Sequence, residues 1–365
     1  MKTYKQFEKL FIDNNFKEIN ESSNSQKFYY LRTISRSSDI NAFCSTYKIN
    51  LNGLRNVDKL EYLLRDSSVT NEMIKTFIKN SYINQSKQRN LTATELVMEL
   101  NRVQNFDWGG SYGNSLEKNI VNNYIKKITS FDILNDKLDS ELYASLKGYT
   151  INSWYNHWSS ILIEDIFKTH KNVLPTVGLV KKIDFFVNGI PFDLKVTYFP
   201  KELMKAKLRE LGFGVELTRV KQAARNANIP IDNRLKDDVL NVQLQTLLEE
   251  ISDKDSLSFI KELRSTKAKI IDDAKKKPDE LIRWLYENQG EARFDAANRL
   301  FLILTDKEKY FESWKLKRNN ALLKSKIHNK LDNMKANNVK KIHFNRKPTS
   351  TSYEVISDII FIDKT

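Results

Sequence analysis

The sequence predicts an α/β fold in which a central mixed sheet is flanked by helices, with a mainly helical N-terminal region and a helical insert. From residue 154 onward the apolar patterns run in the order helix, strand, strand, helix, helical insert, strand, helix, strand, strand. The stretch 179–199 changes to a period of two, which is typical of strands with one buried face.

Residues 1–150 are expected to form the mainly helical region. Apolar residues recur at helical spacing in 3–16 and in 57–66, so each stretch predicts a helix. The aromatic run 26–34 indicates a short strand instead.

Two motifs suggest breaks later in this region. Thr92 followed by Glu95 is a capping-box pattern, which predicts that a helix begins at Thr92. The stretch 106–115 contains three glycines, the densest cluster in the chain, and predicts an ordered turn or loop. A DNA-contacting loop is the alternative interpretation of that stretch.

Residues 151–365 carry the α/β pattern, with the helical insert at about 213–293. A helix is predicted over 154–170, where the spacing of Trp154 and Trp158 indicates core positions. A further helix runs from residue 201 and ends at Gly212.

The elements after the insert follow from apolar runs and charge. The run 299–305 is apolar throughout and predicts a buried strand. Residues 307–334 form a basic helical stretch, and 341–344 and 354–363 indicate closing strands. These elements complete the predicted mixed sheet.

Asn188-Gly189 lies between two alternating segments and is a strong signal for a two-residue hairpin turn. Such a turn places Val187 opposite Ile190, and the same register places Asp184 directly opposite Asp193.

The two faces of this hairpin differ in chemistry. One face is apolar throughout and is expected to pack into the core, whereas Asp184, Asp193 and Lys195 share the other face. Facing carboxylates repel each other, because directly opposed side chains lie about 4.5–5.5 Å apart at Cβ. We therefore expect a divalent cation between them, and Mg²⁺ prefers such oxygen ligands. A surface strand pair with a simple Asp–Lys ion pair is the alternative.

These residues resemble the PD-(D/E)xK nuclease superfamily, which has the restriction-endonuclease-like fold. The resemblance is carried by Asp184 and by Asp193-Leu194-Lys195 on the next strand, and it covers 154–211 well and 299–363 loosely. The residue before Asp184 is Ile183 where the family motif has proline.

The resemblance implies site roles and a cofactor. Asp184, Asp193 and the backbone carbonyl of Leu194 would bind Mg²⁺, and Lys195 would assist the attacking water. A helix before the hairpin often adds a glutamate in this family. Glu164 fits that place, with Asp165 as the second choice.

Composition limits the partners. The net charge of +14 favours a polyanion, and 13 of the Lys and Arg residues lie between residues 307 and 347 with only three acids. A solvated helix face is the alternative explanation of this basic stretch. The candidate phosphate contacts within it are Lys315, Lys317, Arg318, Lys324, Lys326 and Lys330.

Other classes of protein are disfavoured by what the sequence lacks. Cys44 is the single cysteine, so an internal disulfide and a Cys-based zinc site are excluded, and a reducing cytoplasm is expected. We expect no membrane span, no secretory signal and no nucleotide cofactor, because neither a long apolar run nor a glycine-rich phosphate loop occurs.

The sequence thus predicts a Mg²⁺-dependent endodeoxyribonuclease acting on double-stranded DNA, most simply a type II restriction enzyme. Residues 1–150 would then contribute to DNA recognition, and the resemblance implies a homodimer as the simplest way to cut both strands. The alternatives are a non-catalytic DNA-binding protein on a degenerate nuclease fold, and a repair or defence nuclease acting on other nucleic acids.

Overall fold

The computed structural model describes residues 2–104, 120–178, 182–251, 253–288, 297–335, 340–346 and 351–364. The glycine-rich stretch 106–115, with its predicted turn, lies outside these residues. Within them the chain is an α/β protein built on a mixed six-stranded sheet. The predicted fold class is therefore confirmed at that level.

The sheet has antiparallel edges and a parallel centre. Its strand order is β1-β2-β3-β4-β6-β5. The neighbours β1–β2, β2–β3 and β5–β6 are antiparallel, whereas β3–β4 and β4–β6 are parallel. The strands are β1 Val173–Pro175, β2 Phe185–Val187, β3 Ile190–Tyr198, β4 Arg299–Asp306, β5 Lys341–Arg346 and β6 Thr351–Lys364.

The N-terminal helices pack on the β1–β2 end of the sheet. Their apolar core includes Leu174, Val177 and Phe186 from that end. The helices are α1 Tyr4–Ile12, α2 Phe16–Asn20, α3 Ser25–Thr33, α4 Ser37–Thr46, α5 Asn56–Arg65 and α6 Asn71–Asn101.

Two predictions in this region are wrong. Residues 26–33 of the run 26–34 belong to helix α3 rather than to a strand. The consecutive residues Phe28 to Leu31 are all buried, which hides the helical period in the sequence. Thr92 lies inside α6, where its hydroxyl donates to the carbonyl of Gln88, so it does not cap a helix.

The helix before the hairpin is longer than predicted. Two π-helical turns, Val121–Ile125 and Leu138–Leu142, flank α7 Phe131–Lys137 and lead into α8 Tyr143–Lys168. Trp154 is exposed, so its prediction as a core residue is wrong, whereas Trp158 is partly buried. The buried face of α8 is shifted by one residue relative to the predicted core face. Its described buried residues are Tyr155, Ser159, Leu162, Ile163 and Phe167.

Helices cover both faces of the sheet. One face packs on α8 and on α14 Asn320–Asn333, and the other packs on the helices of the insert. Every residue of β4 is buried, as predicted. The helices on the insert side are α9 Lys201–Glu210, α10 Glu216–Asn226, α11 Asp237–Ile251, α12 Lys254–Lys276 and α13 Pro278–Asn288.

A 3₁₀ helix, Tyr310–Arg318, connects β4 to α14, so the predicted basic helical stretch consists of two helices of different type. The predicted closing strands are confirmed as β5 and β6, which pair with each other. No helix among the described residues is long and apolar enough to cross a lipid bilayer.

Candidate functional site

The hairpin between β2 and β3 forms as the sequence predicts. Asn188 and Gly189 have φ angles of 51° and 83°, the left-handed values that a type I′ turn requires. Val187 pairs with Ile190, and two further pairs extend the same register as far as Phe185 opposite Phe192. The predicted register is therefore confirmed over these three pairs.

The ladder ends one position before the two aspartates, because Asp184 bends out of it. The N–H of Asp184 donates to the carbonyl of Phe192 over 2.8 Å. Its carboxylate Oδ2 accepts the N–H of Leu194 at 2.7 Å, so a side-chain oxygen takes the place of a backbone acceptor. The carboxylate of Asp184 is therefore held against the backbone of β3 at Leu194, the residue between Asp193 and Lys195.

The environment of Asp184 favours its protonated form. Burial is the largest cause, and the negative charges of Asp193 and Glu164 add to it. The hydrogen bond from Leu194 and the charge of Lys168 act in the opposite direction. The net effect raises the pKa of Asp184 to about 6, so a cation placed beside this carboxylate would relieve an existing electrostatic penalty.

Asp193 is buried but has two cationic neighbours. Lys195 Nζ lies 3.0 Å from Oδ1, and Arg299 Nε lies 3.0 Å from Oδ2. The Arg299 side chain is only 3% exposed, whereas that of Lys195 is 40% exposed. The guanidinium of Arg299 also stacks 5.0 Å from the ring centroid of Tyr286. The guanidinium of Arg299 is thus held in the core, whereas the ammonium of Lys195 can reach solvent.

Arg299 changes the interpretation of the facing carboxylates. The sequence led us to expect a divalent cation between the two carboxylates. Arg299 already supplies a positive charge to Asp193, whereas the negative charge of Asp193 still contributes to the raised pKa of Asp184. Arg299 opens β4 and is the cross-strand partner of Asp193 in the parallel pair β3–β4. The only sequence signal for it is a charged residue at the first position of an otherwise apolar strand.

Glu164 lies near this cluster on α8. It forms an ion pair with Lys168 at 2.9 Å, and its charge contributes to the raised pKa of Asp184. Asp165, the second choice from the sequence, has a different role. It accepts hydrogen bonds from Tyr82 and Arg89 and so ties α8 to α6.

The oxygen atoms here fit a Mg²⁺ ion only if Lys195 moves. No three His, Cys, Asp or Glu side chains within the described ranges form a ready-made metal site. Asp184 supplies one carboxylate, and Asp193 Oδ1 becomes available when half-exposed Lys195 turns to solvent. The carbonyl of Leu194 points to the same edge as its N–H, toward Asp184. Two carboxylates and a carbonyl, completed by water, match what Mg²⁺ usually takes from a protein.

Some of the predicted phosphate-contacting side chains are exposed, and others already form contacts within the protein. Lys324 and Lys326 are exposed on α14. Lys315 pairs with Glu312 at 2.9 Å, and Lys330 pairs with Asp358 at 2.7 Å. These four remain at or near the surface.

Lys317 and Arg318 do not fit the predicted phosphate track. Lys317 is buried, its ammonium donates to Asn156 over 2.9 Å, and burial lowers its pKa to about 8. Arg318 donates to the carbonyls of Leu100 and Val103, at the end of α6. Both side chains of this 3₁₀ segment thus make contacts within the protein.

Comparisons of this chain with protein-family models, with curated proteins and with solved structures found no match. The cluster of Asp184, Asp193 and Lys195 offers two carboxylates and an ammonium at one edge of a hairpin. Such a set can bind a divalent cation, hold a water and stabilise a developing anion.

Proposed function

We propose that this chain is a Mg²⁺-dependent endonuclease that hydrolyses phosphodiester bonds of double-stranded DNA, and that it acts as a type II restriction enzyme. In this proposal residues 151–365 are a restriction-endonuclease-like core of the PD-(D/E)xK kind. The observation that supports it is the position of the Asp184 carboxylate. Its Oδ2 lies 2.7 Å from the backbone N of Leu194, the residue between Asp193 and Lys195.

Each residue of the cluster has a distinct role in this proposal. Asp184, Asp193 Oδ1 and the carbonyl of Leu194 would hold Mg²⁺, which when bound polarises a phosphate and lowers the pKa of its water. Lys195, once released from Asp193, orients the attacking water by a hydrogen bond. Arg299 holds the Asp193 carboxylate in place by a buried ion pair, with its Nε 3.0 Å from Oδ2. Glu164 and Lys168 adjust the charge beside Asp184.

The rest of the chain would bind the substrate. The exposed lysines of α14, Lys324 and Lys326, are suited to phosphate contacts, which position DNA without reading its sequence. Residues 1–150 are the proposed recognition region. We place the activity in the cytoplasm, where the buried thiol of Cys44 stays reduced.

The test is incubation of the purified chain with unmodified plasmid DNA and Mg²⁺, followed by mapping of the ends. Discrete fragments are expected, and Asp184→Asn, Asp193→Asn and Lys195→Met should each abolish cleavage while leaving DNA binding in EDTA intact. A matched control is the exposed ion pair of Lys205 with Glu202 on α9, 2.9 Å apart. Glu202→Gln and Lys205→Met should cut as the wild type does.

A non-catalytic DNA-binding protein on the same fold is the second candidate. The observation that favours it is that both carboxylate oxygens of Asp193 already accept from cationic side chains. It predicts salt-sensitive binding of DNA without any Mg²⁺-dependent cleavage. Degradation without fixed ends, or cleavage only of RNA or branched DNA, would instead indicate the repair or defence nuclease.

A further inference from the structure

The connection between β1 and β2 ends at Asp184, and its described part lies against the N-terminal helices. The hydroxyl of Thr176, at the start of this connection, donates to the carbonyl of Asp184 over 2.9 Å. The N–H of Gly178 donates to the carbonyl of Thr33, the last residue of α3, over 3.2 Å. A Cβ on Gly178 would lie only 3.0 Å from that carbonyl oxygen, so a side chain at this position would crowd α3.

Lys182, two residues before Asp184, contacts the N-terminal helices through its ammonium group. The Nζ donates to Oδ1 of Asn14, which lies between α1 and α2, over 2.5 Å. It also lies 5.6 Å from the ring centroid of Phe11 on α1 and 5.9 Å from that of Phe16 on α2. Both distances fall within the range of about 6 Å in which an aromatic face attracts a cation. The connection is therefore held at α1 and α2 as well as at α3.

The backbone of Lys182 has a left-handed conformation that lysine does not favour. Its φ is 72°, and a residue other than glycine, asparagine or aspartate seldom adopts such a value. Backbone strain of this kind persists only where the surrounding contacts impose it, and it occurs preferentially at functional sites. The contacts of the ammonium with Asn14 and with two aromatic rings are constraints of this kind.

The residues on both sides of Asp184 are buried against the same helices. Ile183 and Phe186 belong to the apolar core of the N-terminal helices, and the ring of Phe186 packs edge-on against that of Tyr30 on α3, with 5.1 Å between the centroids. The N-terminal helices thus hold the backbone from which the Asp184 carboxylate reaches the N–H of Leu194. A functional group has to stay within about 0.5 Å of its productive position, so the placement of this backbone matters for any metal bound there.

We propose that Lys182 is a positioning residue for the Mg²⁺ site: its ammonium fixes the connection to α1 and α2, and the connection in turn sets the position of the Asp184 carboxylate. The inference rests on the proposed function, because it takes Asp184 as a metal ligand. Lys182 acts through the backbone of Asp184 and is not itself a ligand. The N-terminal helices then have a second role besides the proposed recognition of DNA, since they form part of the frame of the metal site.

The first measurement is hydrogen exchange of the Leu194 amide in the full chain without Mg²⁺, because this N–H donates to the Asp184 carboxylate. Lys182→Met removes the charge and keeps a side chain of similar length, whereas Lys182→Arg restores a cation that can lie over the aromatic rings. We expect exchange at Leu194 to become at least tenfold faster in Lys182→Met, measured relative to the buried amide of Leu302 in β4. Lys182→Arg should restore the slow exchange.

The second measurement is the Mg²⁺ concentration that gives half-maximal cleavage. It should rise about tenfold in Lys182→Met, while kcat at saturating Mg²⁺ and DNA affinity in EDTA change less than twofold. Asn14→Gly removes the partner of the ammonium at a position whose φ of 60° suits glycine, so it should act in the same direction and add little to Lys182→Met. The control Arg219→Met removes a cation that lies 4.7 Å from the ring centroid of Phe213 in the insert, and it should behave as the wild type does.

Several outcomes would overturn the proposal. Exchange at Leu194 that stays at the wild-type rate in Lys182→Met would do so, and so would exchange that rises equally at Leu194 and Leu302, because the side chain would then act only on general stability. A tenfold loss of DNA affinity in EDTA would place Lys182 on the DNA-binding surface instead. A wild type that neither cleaves DNA nor responds to Mg²⁺ refutes the proposed function, and the exchange rates alone then decide whether Lys182 positions Asp184.

Discussion

Arg299 and Asp193 are cross-strand partners in the parallel pair β3–β4, and the Nε of Arg299 donates to the Asp193 carboxylate over 3.0 Å. The helical insert supports this pair from one side, because the ring of Tyr286 on α13 stacks against the guanidinium. The hydroxyl of Tyr286 in turn donates to the carbonyl of Ala297. The position of a proposed metal ligand thus depends on a residue more than a hundred positions later in the chain.

Replacing Arg299 should destabilise the fold more than an ordinary surface change does. Arg299→Met leaves Asp193 buried with only Lys195 as a cationic neighbour, and breaking a buried ion pair from one side costs about 3–5 kcal/mol. Urea unfolding followed by circular dichroism measures the loss. Any variant that still folds should need less Mg²⁺ for cleavage, because a cation that competes with the metal for the Asp193 carboxylate has been removed.

The double variant Arg299→Met/Asp193→Leu is the control for this explanation. It removes both charges, so most of the lost unfolding free energy should return, while cleavage stays absent. A double variant as unstable as Arg299→Met alone would show that packing around the guanidinium, and not the unpaired carboxylate, carries the effect.

Asp184 should make stability depend on pH in a defined window. Its pKa is about 6 in the folded chain and 3.8 in the reference state, so the folded state binds more protons between these values. The contribution of Asp184 to stability is therefore fully present below pH 4 and is lost as the pH rises from 4 to 6. The loss reaches at most about 3 kcal/mol, from about 1.4 kcal/mol for each pKa unit.

Asp184→Asn removes this penalty and keeps an oxygen that can accept from Leu194. Above pH 6 the variant should be more stable than the wild type, and the difference should vanish near pH 4. Urea unfolding at pH 4, 6 and 8 measures it, with Glu95→Gln on the surface of α6 as a control for the loss of one negative charge. A difference that is the same at all three pH values would contradict the assignment.

Mg²⁺ should stabilise the wild type through the same carboxylate. A ligand that binds only the folded state adds RT ln(1 + [L]/Kd), or about 2.7 kcal/mol at a hundredfold excess over Kd. We expect a rise in the melting temperature on titration with Mg²⁺ at pH 8, and no rise in Asp184→Asn or Asp193→Asn. Equal responses of all three proteins would place any bound Mg²⁺ elsewhere, whatever the cleavage assay shows.

The hairpin was predictable because its information is local. A two-residue Asn188-Gly189 turn allows one register, and the alternation on either side shows which face is apolar. The same holds for β4, whose uniform apolar character matches a strand buried on both faces. The backbone bend at Asp184 was not predictable, because its carboxylate competes with the ladder for the N–H of Leu194.

Contacts between segments that are distant in the sequence account for the other differences between the predictions and the structure. Arg299 reaches Asp193 only because β4 pairs with β3 after the whole insert, and no local pattern encodes that pairing. Lys317 looks like part of a basic face in the sequence, yet the 3₁₀ segment directs it toward Asn156. A run of charged residues in the sequence therefore does not show which of its side chains are exposed and which contact the rest of the protein.

Replacing the two exposed lysines of α14 and replacing Arg318, which donates to backbone carbonyls, should have different effects on the salt dependence of DNA affinity. Each phosphate contact contributes about 0.9 to the slope of log K against log salt, so Lys324→Ala/Lys326→Ala should reduce the slope by roughly 1.8. Arg318→Ala should leave the slope unchanged and lower stability by about 1–3 kcal/mol, because the carbonyls of Leu100 and Val103 lose their donor. Fluorescence anisotropy with a labelled duplex in EDTA separates binding from cleavage. An unchanged slope in the lysine variant would show that Lys324 and Lys326 do not contact DNA. A reduced slope in Arg318→Ala would show that Arg318 does contact DNA.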